Sequence, residues 1–95
     1  MRRAAKIDEN QPEIVAALRK IGALVTDLSG VGNGVPDILV AFRGMFYLLE
    51  IKDGSKPPSA RKLTDDQAKW HAVHKDCRVY IVKSIDEAIA AVQRD

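Results

Sequence analysis

The chain has 95 residues, 46% of them hydrophobic, and a formal net charge of +2. This length predicts a single domain, residues 1–95, built around one hydrophobic core. The single cysteine excludes an internal disulfide bond and is typical of a reducing compartment. No apolar run approaches the roughly 18 residues of a membrane span, and the N-terminus lacks the apolar core of a signal peptide. We therefore expect a soluble, cytoplasmic protein.

The basic residues are clustered in two places. Arg2, Arg3 and Lys6 stand at the start of the chain, and Lys56, Arg61 and Lys62 stand in one loop. Such clusters indicate either a local basic face for a nucleic acid or ordinary solvated surface charge. Composition alone leaves both interpretations open.

Hydrophobic periodicity predicts elements in the order α-β-β-β-α-β-α. The first helix spans residues 9–21 and ends at Gly22, where a glycine is a natural helix stop. A glycine-rich loop, residues 29–35, follows the first strand. The remaining predicted ranges are a strand at 23–28, a helix at 64–75, a strand at 78–82 and a helix at 84–93.

Two apolar runs, DILVAF and MFYLL, are joined by Arg43-Gly44 and predict a β-hairpin. Neither run alternates cleanly between apolar and polar residues, so we expect both faces to be covered and the hairpin to be central in its sheet. The expected fold is a small α/β domain with a mixed sheet of two to four strands flanked by helices on both faces.

The hairpin brings an acid and an acid–base pair to one edge of the sheet. If Arg43-Gly44 is the turn, Phe42 faces Met45, and counting back along both strands places Asp37 opposite Glu50. Opposed residues share a face, with Cβ atoms roughly 4.5–5.5 Å apart. Lys52, two residues further on, projects from that same face.

Two carboxylates so close repel each other, whereas a hard divalent cation would stabilise them. Mg²⁺ is typically bound by one or two carboxylates and completes its shell with water and phosphate oxygens. A lysine beside such a site can orient water or stabilise charge on a phosphoryl group. The arrangement indicates phosphodiester hydrolysis. The alternative is that these residues are only polar ends of two strands.

The residues of this edge resemble a known nuclease signature. Val35-Pro36-Asp37 followed by Glu50-Ile51-Lys52 is similar to the motif of the PD-(D/E)XK nuclease superfamily. Within it, the stretches GVPDIL, LEIKDG and LTDDQ resemble the VRR-NUC domain group, which is related in fold to archaeal Holliday junction resolvases. The resemblance runs from the first helix to the strand at 78–82 and implies a restriction-endonuclease-like fold.

The resemblance implies a DNA endonuclease that depends on Mg²⁺ or Mn²⁺. Asp37 and Glu50 would bind the metal, with the main-chain carbonyl of Ile51 as a third ligand. Lys52 would position the attacking water, and Gln67 would belong to the active site. Gln67 has a structural alternative, because Thr64-Asp-Asp-Gln67 is also a good capping box for the second helix.

The family often carries a further acid on the first helix, and the candidates are Asp8, Glu9 and Glu13. Asp8 and Gln11 lie on the helix face that packs on the sheet, so they are the better candidates for the site. Alternatively, the segment from Asp8 to Gln11 only caps the helix.

The expected partner is DNA, held through its backbone by Arg2, Arg3, Lys56, Arg61 and Lys62. The resemblance to resolvases implies a preference for branched or junction DNA and a homodimer. The rivals are a non-catalytic or partner-dependent DNA-binding module and a small interaction domain.

Three other features indicate no further site. The glycine-rich loop lacks the Lys-Ser/Thr ending of a P-loop, so we expect no nucleotide cofactor. His71 and His74 have no acid clearly aimed at them and are interpreted as surface or partly buried residues. Trp70 is predicted to pack its helix on the sheet.

Overall fold

The structure is a computed structural model that describes residues 8–94. The elements are α1 (Gln11–Lys20), β1 (Leu24–Asp27), β2 (Ile38–Phe42), β3 (Met45–Ile51), α2 (Asp65–Val73), β4 (Val79–Val82) and α3 (Ile85–Val92). A short 3₁₀ turn, Pro58–Arg61, precedes α2. The predicted element order is confirmed, and each boundary differs by at most two residues.

The four strands form one mixed sheet in the order β1-β2-β3-β4. The first three strands are antiparallel, and β4 runs parallel to β3 because α2 crosses over between them. Arg43 and Gly44 form a two-residue turn with φ values of 51° and 79°, a left-handed pair that suits the twist of a hairpin. Phe42 pairs with Met45 and Ile38 with Leu49, so the predicted register and the central position of the hairpin are confirmed.

One face of the sheet carries the hydrophobic core. Alternate residues of the hairpin point to this face, and Ile38, Leu49 and Ile51 are fully buried there. α1 and α3 cover the face and contact each other, with Ile14 and Leu18 of α1 buried between helix and sheet. Burial of these apolar side chains stabilises the domain by about 1.5–3 kcal/mol for each large side chain.

α2 lies over part of the opposite face, where it covers Glu50. The prediction of helices on both faces is therefore confirmed. The expectation that both faces of the hairpin are fully covered is wrong at its far end, since Phe46 is 65% exposed. Leu24, in the same cross-strand row through Ala41, is 73% exposed. α2 is too short to cover that end of the sheet.

The side chain at the start of α1 binds the chain at the ends of β3 and β4 instead of capping its own helix. Asn10 is the N-cap residue, yet its side chain makes no capping hydrogen bond. Its Nδ2 donates to the main-chain carbonyls of Lys52 at 3.1 Å and Lys83 at 3.2 Å. α1 is thereby attached to the chain directly after β3 and β4, and sequence reasoning did not foresee this contact.

No helix within residues 8–94 is long and apolar enough to cross a membrane. Arg2 and Arg3, which belong to the expected DNA-binding surface, lie outside the described residues, as does the nearby Lys6.

Candidate active site

A cleft of about 240 Å³ opens at the Glu50 edge of the sheet, between β3, the loop after it and the start of α2. Its lining consists of six of the predicted site residues together with Ala60 and Thr64; the six are Asp8, Asp37, Glu50, Lys52, Lys62 and Gln67. The cleft is polar because strand ends, a helix start and a charged loop meet there.

Asp37 lies where the β2–β3 ladder stops. Ile38 and Leu49 form the last pair, and Pro36, which has no N–H group, precedes Asp37. Beyond the last main-chain pair, the side chain of Asp37 still links the two strands. Its Oδ2 accepts a hydrogen bond from the Ile51 N–H at 2.6 Å. The contact fixes the carboxylate at the edge of β3, beside Glu50.

Glu50 is 1% exposed, although it is a charged residue. Burial, together with the hydrogen bond and charge of the adjacent Asp37 carboxylate, raises the pKa of Glu50 to about 8, although the Lys52 ammonium opposes the rise. Its Oε2 accepts a hydrogen bond from Gln67 Nε2 at 3.1 Å. Its Oε1 is buried and accepts no hydrogen bond from the described residues. A buried carboxylate with one unpaired oxygen beside a second acid is costly in a protein without a ligand there.

Lys52 projects from the same face as Glu50, as the hairpin register predicts. It is 8% exposed, and its Nζ donates to Gln67 Oε1 at 3.0 Å. The same Nζ is 3.8 Å from Glu50 Oε2, so the ammonium partly compensates the two carboxylates. The main-chain N–H of Lys52 donates to the Val82 carbonyl, and the main-chain carbonyl of Lys52 accepts from Asn10 Nδ2.

Gln67 caps α2 and reaches the cleft at the same time. Its main-chain N–H donates to Thr64 Oγ1 at 3.2 Å, and its Oε1 accepts from the Thr64 N–H at 2.9 Å, which completes the capping box. The same Oε1 accepts from Lys52, and Nε2 donates to Glu50. The two interpretations of Gln67 are therefore compatible, because one amide has enough donors and acceptors for both.

Gly34 allows α2 to approach the sheet edge. Its φ is +81°, and a methyl group at this position would overlap the carbonyl of Asp66 in the first turn of α2. The glycine-rich loop and the helix start are thus in direct contact. This explains one glycine of the loop by packing, without any ligand.

Of the two candidate site residues near the first helix, Asp8 and Gln11, only Asp8 lies at the cleft. Asp8 lines the cleft and its charge raises the pKa of Glu50. Gln11 is buried elsewhere: its Nε2 donates to Ser29 Oγ at 3.3 Å, and it lines a different groove with Asp27. The structure does not bring Gln11 to the cleft, because the chain bends between Asp8 and the start of α1.

The basic loop flanks the cleft. Lys62 lines it directly, while Arg61 is half-buried and Lys56 is exposed in the same loop. Residues 56–62 therefore present positive charge beside the acidic pair.

His71 also reaches the site, which sequence reasoning missed. Its Nε2 is 3.9 Å from Glu50 Oε1. The available signal was its spacing from Gln67, because residues four apart share one helix face.

His74 points elsewhere: its ring stacks on Trp70 with centroids 3.6 Å apart, and its Nδ1 lies 2.7 Å from the Trp70 carbonyl. The ring contact of Trp70 is therefore with a residue of its own helix, His74.

Comparisons with known proteins point to one fold. A solved structure described as "VRR_NUC domain" aligns with 92% of this chain and 98% of its own, at 23% sequence identity and a TM-score of 0.64. No protein-family model matches the sequence, and no curated protein matches it. The fold implied by the sequence resemblance is confirmed. The chain has the fold of a VRR_NUC domain.

Proposed function

We propose that this chain is a VRR-NUC nuclease that hydrolyses phosphodiester bonds of DNA with Mg²⁺ or Mn²⁺. One observation carries the proposal: Asp37 and Glu50 lie side by side at a sheet edge, and the buried Oε1 of Glu50 accepts no hydrogen bond from residues 8–94. A structural role does not account for this arrangement, since it costs stability in the metal-free protein.

The donor set suits a hard cation. Both side chains offer carboxylate oxygens, and the Ile51 carbonyl lies on the strand side that faces Asp37, because the N–H and C=O of a strand residue point the same way. Oxygen ligands are those that Mg²⁺ and Mn²⁺ prefer. Within residues 8–94 no group of three His, Cys, Asp or Glu side chains is placed to hold a metal by itself. Water and substrate phosphate would therefore complete the shell.

When bound, the metal would polarise the phosphoryl group and favour attack by water. The side chains of the cleft would orient the metal ligands and the attacking water. Gln67 holds the Glu50 carboxylate and the Lys52 ammonium in a fixed relation through two hydrogen bonds. The Lys52 ammonium, nearly buried, can donate to the attacking water or to a phosphate oxygen as negative charge develops.

Basic residues of the loop would hold the DNA backbone. Lys62 lines the cleft and Lys56 and Arg61 neighbour it, so a phosphate at the acidic pair has cations beside it. Phosphate contacts position the duplex without reading its sequence. We include Arg2 and Arg3 in this surface on the basis of the sequence alone.

We further propose that the protein acts as a homodimer on branched DNA. A short catalytic domain gains basic surface and a second active site by pairing with a copy of itself. The exposed Leu24 and Phe46, about 10 Å apart on one sheet face, supply apolar surface suitable for such a contact. Light scattering at micromolar concentration should report a dimer, and Phe46→Glu should yield the monomer. A wild-type monomer with equal rates on junction and linear duplex would refute this part.

The test of the proposed function is cleavage of labelled four-way junction, flap and linear duplex DNA in Mg²⁺, Mn²⁺ or EDTA. We expect cleavage with either metal, none in EDTA, and faster cleavage of branched substrates. RNA of the same sequences serves as the substrate control. Metal-independent binding without cleavage of any substrate would favour the non-catalytic DNA-binding module instead.

A further inference from the structure

Within residues 8–94, two buried polar atoms of the site lie next to each other: Nε2 of His71 makes no hydrogen bond, and Oε1 of Glu50 accepts none. They are 3.9 Å apart, and the side chains are 2% and 16% exposed. Each unpaired buried polar group costs about 1–3 kcal/mol, so native structures rarely leave two of them next to each other without a function.

The position of His71 on α2 accounts for the proximity. Gln67 and His71 are four residues apart and therefore lie on one face of the helix, which covers Glu50. Gln67 Nε2 donates to one oxygen of the carboxylate, Oε2, at 3.1 Å. His71 Nε2 lies next to the other oxygen, Oε1.

His71 can donate to this oxygen through Nε2. An imidazole whose Nε2 carries a proton presents that N–H to Glu50 Oε1, whether the ring is neutral or charged.

We propose that His71 is a positioning residue for Glu50. Its Nε2–H donates to Oε1, directly once the side chains close the gap by about 1 Å or through one bridging water. Gln67 and His71 then hold both oxygens of the carboxylate from one helix face. The remaining lone pairs of the carboxylate stay available for a cation. The metal-related part of this inference rests on the proposed function, whereas the contact itself does not.

The consequence is a tighter metal site. Carboxylates that bind metals are usually hydrogen-bonded in turn, and loss of such a supporting contact typically weakens metal affinity 10–100-fold. We therefore expect His71→Leu, which keeps the volume but removes the donor, to weaken Mn²⁺ binding 10–100-fold by isothermal titration calorimetry. His71→Gln, whose amide can donate again, should recover most of the affinity.

His74→Leu is the matched control, because His74 lies on the same helix but contacts Trp70 instead of Glu50. It should bind Mn²⁺ like the wild type. Equal affinities of wild type, His71→Leu and His74→Leu would overturn the inference. Spin-echo spectra of bound Mn²⁺ that show a nitrogen coupling lost in His71→Leu would also overturn it, because His71 would then be a direct ligand.

A metal-free experiment separates this inference from the proposed function. In EDTA, the melting temperature of His71→Leu is compared in the wild-type and Glu50→Met backgrounds. The proposal predicts a clear loss in the first background and a smaller one in the second, since the partner oxygen is already gone. Additive changes would overturn the contact. A wild type that binds no Mn²⁺ would refute the proposed metal site, while this cycle would still decide whether His71 holds Glu50.

Discussion

The two faces of the sheet bury opposite kinds of side chain. Under α1 and α3 the hairpin buries Ile38, Leu49 and Ile51, each 0% exposed. On the other face, beneath α2, it buries Glu50 at 1% and Lys52 at 8% exposure. Neighbours in sequence, such as Leu49 and Glu50, therefore serve different purposes.

The difference shows where stability and function are located. The apolar face stabilises the domain through burial and packing. α2 has no fully buried residue and is attached by the Gln67 contacts and by close packing of its first turn on Gly34. Burying charged groups usually destabilises a fold, so their retention indicates a functional site. Substitutions on the two faces should therefore separate stability from activity.

The largest expected effect is the difference in unfolding free energy between Leu49→Ala and Glu50→Gln. Leu49→Ala opens a cavity in the core and should cost about 2–5 kcal/mol of unfolding free energy. Glu50→Gln keeps the size of the side chain and opens no cavity, so it should cost much less, while cleavage is lost. Urea unfolding in EDTA measures the stabilities. Leu24→Ala, at a 73% exposed position, is the control and should change stability by about 0.5 kcal/mol or less. A Glu50→Gln loss as large as that of Leu49→Ala would contradict the comparison.

Substitution of the proposed catalytic residues should affect the cleavage rate strongly and folding weakly. Asp37→Ala and Lys52→Ala should each lower single-turnover cleavage at least roughly 100-fold, the range for a positioned catalytic group or a metal ligand. Lys20→Ala, at an exposed position of α1, is the matched control for the lysine. Circular dichroism should show folded protein in each case. An undiminished rate of Lys52→Ala would refute its role.

Local sequence signals predicted the sheet and the acidic pair. The Arg43-Gly44 turn sets the register of the hairpin, and that register alone places Asp37 beside Glu50 and aims Lys52 to the same face. The apolar runs likewise predicted the core side, because Leu49 and Ile51 alternate with Glu50 and Lys52. These features depend on residues close in sequence.

The α2 face was harder to predict because its contacts are long-range and polar. α2 has no clear apolar stripe, so hydrophobic periodicity gives no orientation for His71 or Trp70. Asn10 contacts the chain after β3, 42 residues away, through one amide group. Gly34 meets Asp66 only because the fold brings a loop against a helix start. Such contacts leave no periodic signal in a single sequence.

The attachment of α2 is tested by two glycines of one loop. Gly32 and Gly34 have φ values of +76° and +81°, so alanine at either position is strained by about 1–2 kcal/mol. Only at position 34 does the added methyl group overlap α2, since position 32 faces open space. Gly34→Ala should displace Gln67 and lower cleavage tenfold or more, whereas Gly32→Ala should retain the rate. Equal rates in both variants would show that α2 can move without affecting the site.

The pH dependence of metal-free stability tests the burial of Glu50. Its pKa is about 8 in the folded protein against a reference value of 4.5, so between these values the folded state binds one more proton than the unfolded state. Unfolding free energy should therefore fall as pH rises, by about 1 kcal/mol for each pH unit. The lowered pKa of His71 acts in the opposite direction below its reference value of 6.5, so the clearest window is pH 6.5–8.

Thermal melts in EDTA across this window measure the slope. Glu50→Gln, which cannot ionise, should remove most of it. A wild-type stability that rises between pH 6.5 and 8 would contradict the described environment of Glu50.

The smallest effect tests the central claim most directly, namely that Asp37 and Glu50 are paired to bind a cation. At pH 9, above the pKa of Glu50, Asp37→Asn should relieve the repulsion while its amide oxygen keeps the contact with the Ile51 N–H. The measurement is the melting curve of wild type and Asp37→Asn in EDTA and in Mg²⁺. We predict that Asp37→Asn is more stable in EDTA by about 0.5–1 kcal/mol and gains less than wild type from Mg²⁺. A variant that melts lower in EDTA and responds to Mg²⁺ like the wild type would contradict the account.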